Sequence, residues 1–464
     1  MVLGSPSVIL IEFNELTSKL IDKFMGSGHL PNFKRFFEES LAYTTDAEEE
    51  GNNLNPWVQW VTVHSGLSAQ EHGVTELSEG HKLRTKAVWD ILSEAGLRVL
   101  VCGSMNARYD KPLNGCLLPD PWSTGLSPFP ERTFAPYYKF VRFAVQEHTN
   151  QAASPSKLDL VKFLTFMATH GLSFDTTSFI FKQLWAEKTR KKFHWKRAAV
   201  LDRLQWDVFC SYYRRLKPNF STFFLNSTAH FQHAYWRDME PEVFSVQRTD
   251  GDRSEYRDAI LYGYQNMDDL LGRILRLANP ETTLMFCTGL SQQPYLKYES
   301  QGGRHYYRLK NSELLSKRLG IQGNFTYHPV MAEQFCLRFE TPEEAARAQE
   351  TLGEYRVREQ SAFYSEIHDS DLMVQCNQTG SLPPDTLITA KGRSFPFFET
   401  FYELGELKSG YHHPDGLLWV RRPDRRHRVF DGKVSLRSIA PAILELFEIP
   451  RPPYMTCEAF TGSS

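Results

Sequence analysis

Glu12 and Asn14 stand two apart at the end of the apolar run Val8-Ile-Leu-Ile-Glu-Phe13. In a strand that spacing puts both side chains on one face, so a carboxylate able to act as a general base lies beside a neutral amide. Glu15, just before Leu16, reads as a solvent-facing or capping residue. Further along, Asn55-Pro56-Trp57-Val58-Gln59-Trp60-Val61-Thr62-Val63-His64-Ser65-Gly66 has the spacing of a short buried helix, with Pro at its first turn and tryptophans three apart. Its N-terminus, beside Asn55 and Gln59, is expected to offer unpaired N–H donors to a phosphate or carboxylate. Thr62, His64 and Ser65 invite a nucleophile-and-base reading. Residues one or two apart on a helix do not face each other, so His64 is kept as a catalytic candidate without that pairing.

Two later strand-like runs end in polar clusters. Thr222-Phe-Phe-Leu-Asn226 leads into His230 and His233, and Thr283-Leu-Met-Phe-Cys287 leads into Ser291-Gln292-Gln293. Asn226, Ser291 and Gln292 are amide and hydroxyl groups suited to sugar hydroxyls or phosphate oxygens, and ligands of open α/β sheets gather at such strand ends. His230 is placed among the catalytic candidates and also as a metal donor; the competing reading makes His230 and His233 core histidines bonded to backbone. His412 and His413 enter another strand.

The elements that would position these groups alternate strand, helix, strand, as a doubly wound sheet requires. Leu16 to Met25 and Ala87 to Glu94 read as helices, the latter stopped by Gly96, and Arg98 to Cys102 as a strand. Residues 134 to 217 carry long amphipathic segments with few strand signals and read as a helical insertion. Its basic run, Lys188 to Arg197, reads as a solvated helix face. Thr341-Pro342-Glu343-Glu344 opens a helix with a cap residue, an N1 proline and first-turn acids. The expected organisation is an α/β core over 1–133, the insertion over 134–217, core again over 218–300, a small α+β cap over 301–385, and the last core part over 386–464.

Length and composition allow this. The chain has 464 residues, enough for a large core with insertions, and 41% hydrophobic with 23% charged residues is ordinary for a globular protein. A net charge of -2 gives no electrostatic footprint for nucleic acid. Seven cysteines, odd in number and without a CxxC pair, fit a reducing cytosol, and no signal peptide or transmembrane run is evident, so a cytoplasmic location is expected. Oligomeric state is not encoded.

Taken in order, Val8-Ile-Leu-Ile-Glu-Phe-Asn, Leu30-Pro-Asn-Phe, Trp60-Val-Thr-Val-His-Ser-Gly-Leu, Glu71-His-Gly-Val, His233-Ala-Tyr-Trp-Arg, Gly410-Tyr-His-His-Pro-Asp-Gly and Ser438-Ile-Ala-Pro-Ala-Ile-Leu resemble the alkaline-phosphatase superfamily, in particular its type I phosphodiesterase and nucleotide pyrophosphatase branch. The resemblance implies a sheet of that type, two zinc-like ions, a Thr or Ser nucleophile at a helix N-terminus, and a small phosphorylated or nucleotide-linked substrate. Position by position, the first-strand aspartate falls on Asn14, the nucleophile on Pro56, a later aspartate on Ala229, and an Asp-His pair on Thr288 and Gly289. Only His233 and His412 remain in ligand positions. One divalent, zinc-like ion is therefore the most this site is expected to hold, with His230 as third donor ahead of Glu12 and His413. The expected function is a divergent hydrolase or transferase of this superfamily with a remodelled active site. The opposing expectation is a catalytically inactive relative that binds a phosphate-bearing ligand or a protein partner.

Overall fold

The structure is a computed structural model that describes residues 6–77, 79–123, 125–146, 155–189, 191–249, 254–331 and 333–460. Its centre is a mixed, mostly parallel sheet of eight strands: β1 (Val8–Phe13), β2 (Leu41–Asp46), β3 (Val99–Cys102), β4 (Gly115–Leu118), β5 (Phe220–Leu225), β6 (Thr283–Cys287), β9 (Asp415–Arg421) and β10 (Arg428–Ser435). Two short strands outside it, β7 (Ser291–Pro294) and β8 (Gly410–His413), pair antiparallel with each other. The spatial order is β10-β2-β9-β6-β1-β5-β3-β4. β1 lies between β5 and β6, parallel to both, and β9 alone runs antiparallel, between β2 and β6.

β1, β5 and β6 are buried along their whole lengths, because helices cover both faces of the sheet. The period of two in β1 sorts its side chains. Ile9, Ile11 and Phe13 join the core under helices α1 (Ser18–Gly26) and α2 (Pro31–Glu38), while Val8 and Leu10 face α3 (Pro56–Ser65) and α4 (Val88–Glu94). Glu12 and Asn14 continue that second face, as their spacing predicts. Parallel strands deliver their C-terminal ends to one edge, so the residues after β1, β5 and β6 meet there.

Between β4 and β5 the chain forms α5 (Glu131–Gln146), α6 (Lys157–Thr169), α7 (Phe174–Thr189) and α8 (Ala198–Leu216). After β5 come α9 (Ser227–Met239) and α10 (Ala259–Leu277). Residues 304 to 408 build two small four-stranded sheets and an antiparallel ribbon, Arg304–Leu309 with Phe401–Lys408, around a core of their own. Their helix, Pro342–Gly353, starts at Thr341, whose side chain accepts from the Glu344 amide.

Several segments differ from the sequence reading. The run Val434 to Phe447 reads in sequence as one closing helix, but the last helix, α11, covers only Ile439–Leu446, because Val434 and Ser435 finish strand β10 beside β2. The histidine segment makes two strands with a turn at Pro414, and β2, β4 and β10 are strands that their short or polar sequences do not announce.

Candidate active site

Glu15 occupies a position that a non-glycine residue rarely takes, with φ of 61°. Four hydrogen bonds hold it there. Its amide donates to the Thr288 carbonyl (3.0 Å), its carbonyl accepts from Gln232 Nε2 (2.8 Å), Asn14 Nδ2 donates to its Oε1 (2.7 Å), and Gln292 Nε2 donates to its Oε2 (2.5 Å). The left-handed turn at the end of β1 thus swings a carboxylate out of the strand's alternation and toward α9 and β8.

There it meets two imidazoles. Glu15 Oε2 lies 3.2 Å from His233 Nε2 and 3.5 Å from His412 Nε2. Tetrahedral zinc with bonds of about 2.0–2.1 Å has ligand-to-ligand edges of ~3.3 Å, so both spacings suit one ion. The chemistry of the donors agrees. His233 Nδ1 donates to the Gly410 carbonyl (2.9 Å), which orients the ring with Nε2 toward the carboxylate. Burial pushes the Glu15 carboxyl up, but the neighbouring imidazoles and the His233 and Gln292 hydrogen bonds outweigh it and hold its pKa at about 2. Burial pulls His412 down to about 3. An ionised carboxylate and a neutral imidazole are the ligating forms of both residues at neutral pH.

The backbone is fitted to this arrangement. A Cβ at Gly410 would lie 2.3 Å from Gln292 Oε1 and 2.6 Å from the Gln232 carbonyl, so only glycine allows β8 to close on β7. β8 pairs His412 with Gln292 and His413 with Ser291.

The side chain grouped with His233 and His412 is that of Glu15, where the sequence reading places His230. The ligand atoms of Glu15, His233 and His412 all lie within 4.8 Å of one another, and His230 is not in that group. Three residues along a helix turn the side chain away by about a sixth of a circle, enough to part His230 from His233. His413 also points elsewhere, since neighbours in a strand face opposite sides; its Nδ1 accepts from the Asp415 amide (3.2 Å).

Glu12 and His64 are joined but sealed. His64 Nε2 lies 2.7 Å from Glu12 Oε1, Ser104 Oγ donates to Glu12 Oε2 (2.7 Å), and Ser104 Oγ is 2.7 Å from Thr222 Oγ1. The His64 ring packs against Trp60 and Trp89. Both Glu12 oxygens are engaged and both side chains are buried, so the pair is closed to solvent as placed.

Asn14 connects the two regions, accepting from Trp60 Nε1 (2.8 Å) and donating to Asn226 Oδ1 (2.7 Å) as well as to Glu15. The remaining candidates are structural as placed. Gln292 is a buried brace for Glu15, and Ser291 Oγ donates to the Asp415 carbonyl (2.5 Å). Gln59 Nε2 donates to the Asn53 carbonyl (2.9 Å). Asn55 caps α3 without a side-chain cap bond, its Nδ2 turned to the Asn52 carbonyl (2.6 Å). The start of α3 is a poorer anion site than expected: Pro56 has no N–H, and the Val58 and Gln59 amides both donate to the Asn55 carbonyl.

Sequence reasoning missed Lys408. Its half-buried ammonium lies over the rings of Tyr411 (5.2 Å) and Tyr295 (5.3 Å), and burial draws its pKa down against the pull of Glu333, Tyr411 and Glu15. It sits on a β-ribbon edge two residues before Gly410, a proximity that nothing in local sequence marks as functional. A cavity of about 1080 Å³ opens elsewhere, lined by residues such as Tyr138, Arg142, Arg308 and Tyr327, and touches none of these groups.

Two solved structures are among those similar to the chain. Phosphonoacetate hydrolase from Sinorhizobium meliloti 1021, in complex with phosphonoformate, is 11% identical over 96% of this chain and 95% of its own, with a TM-score of 0.44. Murine ectonucleotide pyrophosphatase/phosphodiesterase 5 in complex with AMP is 10% identical over 97% and 96%, with a TM-score of 0.42. No protein-family model and no curated protein sequence matches the chain. Similarity this low decides nothing about chemistry, which rests on the residues.

Proposed function

We propose that this chain is a divergent alkaline-phosphatase-like enzyme that acts on a small phosphorylated or nucleotide-linked substrate, by hydrolysis or group transfer, in the cytoplasm. One divalent, zinc-like ion is held by Glu15, His233 and His412. The observation that carries the reading is the convergence of those three donors, with the His233 ring oriented by the Gly410 carbonyl. An ion there would supply Lewis-acid polarisation of a phosphoryl oxygen. The chain's own residues do the rest of the positioning. Asn14 and Gln292 hold the Glu15 carboxylate still, and Lys408 presents a desolvated cation beside it for an anionic substrate group.

A second reading, a protein that binds a phosphate-bearing ligand or a protein partner without turnover, is favoured by one observation. Pro56, at the first turn of α3, has no nucleophilic atom, and the nearest acid and base pair, Glu12 with His64, is walled off.

Elemental analysis of purified protein before and after chelation, with Glu15→Ala, His233→Ala and His412→Ala, tests the site, and His230→Ala serves as the control. The expected result is about one ion per chain, lost in the three variants and retained in the control. Absence of an ion from the native chain, or retention in all variants, overturns the metal site. Screening phosphodiester and nucleotide-sugar substrates on the loaded protein then separates the readings: turnover abolished by His412→Ala supports the enzyme, and ion with ligand binding but no turnover supports the second.

A further inference from the structure

Helix α7 is folded with its apolar side outward. Thr176, Gln183 and Glu187 face the interior, where Gln183 Nε2 donates to Glu187 Oε1 (2.9 Å) and to the Phe193 carbonyl (2.7 Å), and Arg197 holds Glu187. The opposite stripe carries Phe174, Phe181, Leu184 and Trp185, exposed by 89, 69, 50 and 71%. Their spacing of seven, three and one gathers all four within an apolar stripe about 100° wide. The preceding helix, α6, buries Phe163, Phe166 and Met167 yet also exposes Leu158, Val161 and Leu164 on its far side, by 63, 58 and 52%. With Leu160, exposed by 38%, the two consecutive helices leave eight large apolar side chains in water, which ordinary folding would bury.

The charges around these stripes are of one sign. Lys157, Lys162, Lys182 and Lys188 are exposed beside them. The three carboxylates of the same helices are each engaged within the chain: Asp159 by Lys139, Asp175 by Arg203 and Arg273, and Glu187 by Arg197. A stripe of Phe, Leu and Trp flanked by lysines matches an anionic phospholipid surface, where rings enter the acyl boundary and ammonium groups remain among the headgroups. A second copy of the same face would oppose lysine to lysine. No helix among the described residues is long and apolar enough to cross a membrane, so contact here is peripheral.

We infer that α6 and α7 form a docking face for an anionic bilayer surface, independent of the chemistry at Glu15. The test is partition of the full chain onto vesicles containing phosphatidylglycerol and onto vesicles of phosphatidylcholine alone, at low and high salt. The native chain should bind the anionic vesicles at low salt and be released by salt. The Phe181→Ser/Trp185→Ser variant should bind about a hundredfold more weakly, given the transfer free energy of two large apolar side chains. The Lys182→Glu/Lys188→Glu variant keeps the stripe and should lose at least about twentyfold, near fivefold per lysine. Both variants should melt with the native chain. Failure to bind anionic vesicles, equal binding to neutral ones, a serine variant that melts early, or a dimer that this variant abolishes would each overturn the assignment, the last by giving the face to a second copy.

Discussion

Two pairings of glutamate with histidine grow from the same strand end, three residues apart, and they do different work. Glu12 with His64 is enclosed, at 0 and 3% side-chain exposure, and its remaining oxygen is taken by Ser104. Glu15 with His233 and His412 stands at the sheet edge, and the His233 side chain is 28% exposed. Residue chemistry is nearly the same in both. What differs is direction: Glu12 obeys the strand's alternation and points under α3, while Glu15 sits past the strand in a left-handed turn and points into the crevice between α9 and β8. A carboxylate and an imidazole in contact make a core element or an ion site according to whether their remaining lone pairs are already used.

The sharpest way to break this contrast is to remove one partner from each side. Replacing Glu15, His233 or His412 by alanine should weaken ion binding well beyond a hundredfold, since even outer partners of metal ligands are worth ~10–100-fold, with titration against a chelator as the check. His64→Ala should leave ion stoichiometry intact and cost about 3–5 kcal/mol in urea unfolding, because Glu12 would stay buried without its partner. An ion lost on His64→Ala, with stability kept, would reverse the roles assigned to the two pairs.

A smaller effect sharpens the border between them. Asn14→Asp would set a second carboxylate 2.7 Å from Glu15 Oε1, where the amide now donates. The metal-free variant should lose about 1–3 kcal/mol from that repulsion, and added zinc should raise its melting temperature by more than it raises the native one. Equal shifts in the two proteins would mean that Asn14 does not touch the ion's field.

A pH effect concerns what anchors α9, the helix that carries His233. Asp202 accepts from Ser227 Oγ and Asn266 Nδ2, and burial pushes its pKa up to about 7, against the pull of those bonds and of Arg203. The folded chain then keeps a proton that the unfolded chain has released above pH 3.8, so stability should fall as pH rises from about 4 to 7. Asp202→Asn should flatten that slope in unfolding measured across the range. An unchanged slope would show that Asp202 is not the group responsible.

Much of the framework could be read from residue order alone. The unbroken apolar runs of β1, β5 and β6 specify strands covered on both faces, Pro56 after Asn55 starts α3, and Gly66 in the left-handed conformation ends it. Local patterns of this kind depend only on neighbours in sequence. The strands β2, β4 and β10 escaped because pairing, not composition, makes them strands: β10 includes Asp431, Gly432 and Lys433 and is held against β2.

The site divides in the same way. Through the family resemblance the sequence pointed to His233 and His412 as imidazoles in ligand positions and to Pro56 where the family has its nucleophile, and its period of two placed Glu12 and Asn14 on one face. Only the tertiary structure decided that Glu15 joins the histidines, that His230 does not, and that Glu12 with His64 is closed to solvent. The physical reason is that a ligand set is a matter of directions in space. One residue of left-handed backbone at Glu15, fixed by Gln232 and by Thr288 and Gln292 from two distant segments, turns a side chain toward partners more than two hundred positions away.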